Sequence, residues 1–288
     1  MESKKVLNLV KLSLNACEQT YFTKPNVYKV FPPAAESLKC SFQQIINLDT
    51  DQVCTIFKAI PYSSSDSRKS GTTSQAIHLI AFRGTDHSIT DWMTNFSIIK
   101  KQIDNPVAPS IDLKTVNRGW FSKKTPRVHS GFWNAWDSLK PDILRYFEEE
   151  GLKNNLKDSK VIITGHSLGS AIAMCCAYDL YHLQNKYNCH FSVIGVGGPR
   201  CFDYYGSEMM NKMYPHGIRI CNGYDIVTFA VTINSWHCFE SLTLWGYQSY
   251  WECFLNFEWI PRVSLHSMSS YLQRLSKTPN YILDKFIF

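Results

Sequence analysis

Lys160-Val161-Ile162-Ile163-Thr164-Gly165-His166-Ser167-Leu168-Gly169-Ser170-Ala171 is the stretch whose reading decides the fold. Val161 to Thr164 is a short β-branched, apolar run, the pattern of a strand buried on both faces. Gly165-His166-Ser167-Leu168-Gly169 fits G-x-S-x-G, and Leu168 to about Tyr187 reads as a helix that opens with small residues. A strand, a tight turn and a helix together make a nucleophile elbow, which holds a serine on a strained turn. Side chains at 165 and 169 would collide with the neighbouring strand and helix, so both positions require glycine. The helix start leaves backbone N–H groups unpaired near the serine, where a developing oxyanion can use them.

Outward from the elbow, strands alternate with helices. Ala76 to Phe82 reads as a strand, Phe132 to Glu150 as a helix with Pro141 starting a second segment, and Phe191 to Gly197 as a strand. A helix over about Phe202 to Met213 and a strand over Gly217 to Cys221 follow. This alternation predicts an α/β fold with a mostly parallel central sheet and helices on both faces. Phe42 to Asn47 and Gln52 to Ile60 read as earlier strands. Ser63 to Ser74 is too short for an interdomain linker and reads as an exposed hairpin loop, so residues 1–288 are read as one domain. The aromatic-rich tail, Thr228 to Phe288, carries no clear pattern.

Composition narrows the functional classes. The chain has 288 residues, 44% of them hydrophobic, so it can bury a large core. Its formal charge of +6 is scattered, which suits a solvated surface. Neither a basic helix nor zinc-finger spacing points to nucleic acid. The ten cysteines contain no C-x-x-C pair, which suits free core thiols in a reducing, cytoplasmic setting and no metal site. Asn8 and Lys11 interrupt the apolar start, so residues 1 to about 22 read as an amphipathic helix docked on the body rather than a secretory signal. No apolar run reaches the length of a transmembrane helix.

A serine hydroxyl needs a base, and a histidine base needs an acid to hold its tautomer. After an elbow serine the chain order is acid, then histidine. Asp179, Asp203, Glu208, Asp225 and Glu240 are the candidate acids. Asp225 lies just past the C-terminal end of a parallel strand, the edge where sites form in open α/β sheets. The residues leave two bases open, His237 before an apolar run and His266 in a polar loop ahead of a helix. A second oxyanion donor is expected from the loop after an earlier strand, at Arg83-Gly84-Thr85, with Leu168 N–H as its partner.

Phe82-Arg83-Gly84-Thr85, Val128-His129-Ser130-Gly131-Phe132, Gly165 to Ser170, Gly198-Pro199-Arg200, Asp225-Ile226-Val227 and a late His before Tyr follow one another between about 76 and 271. Together they resemble the class 3 (fungal-type) lipase family. The resemblance implies an α/β-hydrolase-like fold and hydrolysis of acyl esters of glycerolipids at a lipid–water interface. It implies Ser167 as nucleophile, Asp225 as acid, His266 as base, and Thr85 with Leu168 as oxyanion hole. His237 matches a non-catalytic histidine of the family. Residues 88–96 match a lid, with Ile89, Trp92 and Met93 controlling access. Neither a cofactor, a metal nor an obligate protein partner is implied. Phospholipase A1, carboxylesterase and thioesterase chemistry would use the same triad, and a non-catalytic interaction protein is a further alternative. The chain departs from the family pattern at Asn95, where an Asp is usual, and at Thr228, where a Pro is usual.

Overall fold

A computed structural model describes residues 2–31, 38–61, 75–84, 99–104, 125–229, 234–245 and 262–278. Its centre is a seven-stranded sheet. The strands are β1 (Leu38–Asn47), β2 (Gln52–Pro61), β3 (Ile77–Phe82), β6 (Lys160–His166), β7 (His190–Val196), β8 (Ile218–Asn222) and β9 (Glu240–Leu244), side by side in that order. From β3 to β9 neighbours run parallel, while β1 and β2 add an antiparallel hairpin at one edge. β4 (Lys100–Gln102) and β5 (Arg127–His129) pair separately.

Strand β6 faces two cores at once, which is why its sequence is apolar without alternation. Val161 and Ile163 point into a core shared with three helices: α3 (Ser130–Leu152), α4 (Leu168–Leu180) and α6 (Tyr204–Met213). Ile162 points into the opposite core, formed with α1 (Glu2–Gln19) and α8 (Met268–Lys277). Every residue of α4 except Asp179 is buried, so this helix forms by packing rather than by amphipathic patterning. Short helices α2 (Val27–Val30), α5 (Leu183–Tyr187) and α7 (Ile226–Phe229) complete the described elements, with a 3-10 turn at Val263–His266. The α/β architecture therefore follows the sequence pattern.

Two expectations need correction. α3 runs unbroken through Pro141 instead of restarting there. Pro141 and Asp137, whose carbonyl loses its helical donor, both lie on the exposed face, where water can replace the missing bond. The helix after the elbow ends at Leu180, and Leu183–Tyr187 forms a separate turn closed by Asn188 in the left-handed region (φ 50°). The aromatic tail contributes β9, whose Leu242 and Leu244 bury against the α1/α8 face. The polar stretch 63–74 lies outside the described residues.

Candidate active site

The elbow forms as its residues require. Ser167 sits at φ 58° and ψ −126°, a backbone conformation a serine adopts only when its surroundings hold it there. It caps α4, and its own N–H donates to Val196 O at 3.0 Å, which ties the turn to β7. A Cβ at Gly165 would strike the Gly169 carbonyl and come within 2.8 Å of Ser170 N. A Cβ at Gly169 would strike the Phe82 carbonyl at the end of β3. Leu168 opens α4, so its N–H is among the first-turn donors that lack a partner within the helix.

Asp225 follows β8 and is fully buried. Its Oδ1 accepts from Val227 N at 3.0 Å. Its Oδ2 accepts from Tyr271 Oη at 2.6 Å and from His266 Nδ1 at 2.7 Å. A neutral His266 that donates through Nδ1 must carry its lone pair on Nε2. That Nε2 is buried and has no hydrogen-bond partner among the described residues. The His266 ring stacks on His166, the residue before Ser167, with centroids 4.6 Å apart and planes at 29°. The structure thus brings His266 onto Asp225 and against the elbow. An imidazole with a buried, unpartnered Nε2, a buried carboxylate on its Nδ1 and a serine on a strained backbone lie together.

The other candidate groups lie elsewhere. His237 bonds through Nε2 to Thr228 O at 2.8 Å, and burial, followed by Arg219, pushes it down to about 3. Asp179 pairs with Lys140 at 2.8 Å and accepts from Trp136 Nε1 at 2.8 Å. Asp203 caps α6 through Gly206 N at 2.8 Å. Glu240 is exposed at the start of β9, and Glu208 lies within α6. Thr85 and the lid segment with Ile89, Trp92 and Met93 lie outside the described residues.

Four residues of the site were not singled out by sequence reasoning. Tyr271 holds Asp225, and burial, with Asp225 next, raises its phenol well above the usual range, so it stays a donor. Asn222 Nδ2 donates to Leu265 O at 2.6 Å and to Ser270 Oγ at 2.8 Å, bracing the loop that carries His266. His166 Nε2 donates to His266 O at 2.8 Å, and Tyr21 Oη lies 2.8 Å from His166 Nδ1. Tyr271 left a trace in the sequence as the tyrosine following the late histidine, and His166 as a residue of the elbow motif. At the family departure, Thr228 Oγ1 donates to Asp225 O at 2.7 Å, a bond a proline cannot make.

The family model for "Lipase (class 3)" matches residues 79–235, more than half of the chain. The chain belongs to the class 3 lipase family. Among its relatives, a phospholipase A1 of Arabidopsis thaliana named as chloroplastic is 24% identical over 155 residues, covering 52% of this chain and 29% of that protein. A lipase of Rhizopus niveus is 32% identical over 139 residues, covering 46% of this chain and 29% of that protein. The chain thus spans under a third of the length of these two curated relatives. The solved triacylglyceride lipase of Rhizomucor miehei shares the fold, with a TM-score of 0.56 at 21% identity over 84% of this chain and 79% of that one. This class 3 lipase domain therefore has the α/β-hydrolase architecture of the fungal lipases. No helix among the described residues is long and apolar enough to cross a membrane.

Proposed function

We propose that this class 3 lipase domain is a serine hydrolase that cleaves acyl esters of glycerolipids. The observation that carries the reading is His266: Nδ1 rests on the buried Asp225 carboxylate, and the ring, whose Nε2 has no hydrogen-bond partner among the described residues, stacks on His166 beside Ser167. In the first step His266 Nε2 takes the Ser167 hydroxyl proton as Oγ attacks the ester carbonyl. The negative charge on the carbonyl oxygen is held by the Leu168 N–H and, in the same proposal, by Thr85. The tetrahedral intermediate collapses, His266 returns the proton to the leaving alcohol, and an acyl-enzyme remains. Water, deprotonated by the same Nε2, attacks the acyl carbon; the bond to Ser167 Oγ breaks, His266 returns the proton to that oxygen, and the carboxylic acid leaves. Asp225 keeps the proton on Nδ1 throughout and stabilises the imidazolium. Neither a metal nor a cofactor enters these steps.

The substrate is proposed as a lipid ester met at a lipid–water interface, reached past the 88–96 segment acting as a lid. Phospholipase A1 activity is the second reading, favoured by the names of the plant relatives. A single domain without an obligate protein partner is part of the proposal, and so is a reducing, cytoplasmic setting. The nine described cysteines, all unpaired, support that setting. The test is labelling by a fluorophosphonate, followed by hydrolysis of triacylglycerol, diacylglycerol and phosphatidylcholine emulsions by wild type and Ser167→Ala. Labelling and hydrolysis that both vanish in Ser167→Ala are expected. Activity that survives the substitution sinks the assignment, and preference for phosphatidylcholine selects the phospholipase reading.

A further inference from the structure

Helix α1 and Tyr21 are remote in sequence from every catalytic candidate, yet Tyr21 reaches the elbow. Over the preceding turns, Val10, Leu14, Ala16 and Cys17 bury against the sheet, and Cys17 Sγ lies 3.5 Å from Thr164 Oγ1 on β6. This packing sets where the chain leaves the helix. Beyond it the Tyr21 hydroxyl meets His166 Nδ1 at 2.8 Å.

The directions of these hydrogen bonds follow from chemistry. The His266 carbonyl can only accept, so the proton on His166 sits on Nε2. Burial, and then the neighbouring His266, hold the His166 imidazole well below its usual range, so it is neutral. A neutral ring with Nε2–H has a lone pair on Nδ1, and Tyr21 donates to it. The other tautomer would set a lone pair against the His266 carbonyl, whereas the Tyr21 hydroxyl can accept as readily as donate. The His266 carbonyl therefore selects the tautomer, and Tyr21 anchors the ring in it by donating to Nδ1. His166 then holds His266 twice, by its carbonyl and by its ring face. The edge of Tyr271 closes on His166 from α8, with centroids 5.8 Å apart, while its hydroxyl holds Asp225.

We propose that Tyr21, at the end of α1, is a positioning residue for ester hydrolysis: by anchoring the His166 ring at Nδ1 it fixes the backbone and ring plane of His266. The inference rests on the reading of Ser167 and His266 as nucleophile and base. It makes α1 a working part of the site. A competing role has to be separated from it. A Cβ at Gly84 would meet both the Tyr21 hydroxyl and Ser167 Cβ, so Tyr21 is close enough to the reacting centre to touch substrate instead.

The experiment compares full-length wild type, Tyr21→Phe, His166→Phe and the double variant. The readouts are kcat and KM on a soluble p-nitrophenyl ester, and the rate of Ser167 labelling by a fluorophosphonate. Tyr21→Phe is expected to lower kcat and the labelling rate by about 3- to 10-fold, the range of one lost hydrogen bond, with KM unchanged within about twofold. Added to His166→Phe, it should lower neither further, because the two residues act as one chain. Losses that multiply in the double variant, a change confined to KM, or an unaltered Tyr21→Phe overturn the inference. Imidazole nitrogen NMR of wild type and Tyr21→Phe supplies a readout that needs neither activity nor the His166 variants. Signals of His266 as well as His166 should move; a shift confined to His166 refutes the relay. Wild type that is neither labelled nor active removes the esterase reading, and the NMR comparison still decides whether Tyr21 governs His266.

Discussion

Replacing Asp225 by Asn exchanges one atom and reverses the logic of the site. The carboxylate accepts from three donors: Val227 N–H on Oδ1, and Tyr271 O–H and His266 Nδ1–H on Oδ2. An Asn amide has one acceptor and one donor end. Turning the NH2 toward Val227 would oppose two donors at 3.0 Å, so the oxygen must stay there and the NH2 must face Tyr271 and His266. His266 then has to accept through Nδ1, and its proton moves to Nε2, where it blocks proton transfer from Ser167. A base held in the wrong tautomer is expected to cost ~10⁴ in kcat, or ~5.5 kcal/mol of barrier. The cost to the fold is smaller. The three contacts re-form, but the Tyr271 hydroxyl proton loses its acceptor in a fully buried position, a penalty of ~1–3 kcal/mol. Adding Tyr271→Phe exchanges that stranded O–H for a stranded amide N–H, so the double variant should regain no stability and remain inactive. Ester hydrolysis and chemical denaturation of the two proteins measure both effects. A folded Asp225→Asn protein within tenfold of wild-type kcat would refute the tautomer reasoning.

Gly165→Ala should destabilise by more than ~3 kcal/mol or prevent folding, because the new methyl meets backbone of α4 and no rotamer relieves it; an unchanged denaturation midpoint contradicts this. His266→Ala should reduce kcat by roughly 10²–10⁴-fold or more, whereas His237→Ala should stay within about tenfold; the opposite ranking in the same assay moves the base to His237. Stability should fall as pH drops below about 6.5. Burial lowers His78, His166 and His237, so the unfolded chain takes up protons there before the folded one does. The contribution of these histidines is present above their unfolded value and is lost as pH falls toward their folded values. A midpoint of thermal unfolding that does not change between pH 7.5 and pH 5 counts against it.

The elbow was legible because its determinants are contiguous. Strand, glycine turn and small-residue helix start lie within twelve residues, and the close approaches at Gly165 and Gly169 leave a mark in the sequence itself. Asp225 was legible as a group past the end of a parallel strand. The base was not separable on residue type alone, since His237 and His266 both occupy plausible segments. The reach of α3 through Pro141 was misread because exposure of the freed carbonyl is a property of packing.

What the chain determines by itself is the local frame: a doubly buried central strand, the strained serine and the order acid then histidine. Tertiary structure alone decided which groups meet. Tyr21 and His166 are 145 residues apart, and Tyr271 lies 46 residues beyond Asp225. They converge because α1 and α8 pack on the same face of the sheet, beside the ends of β6 and β8. The contacts of these side chains depend on where two distant helices end, and no pattern within either helix records that.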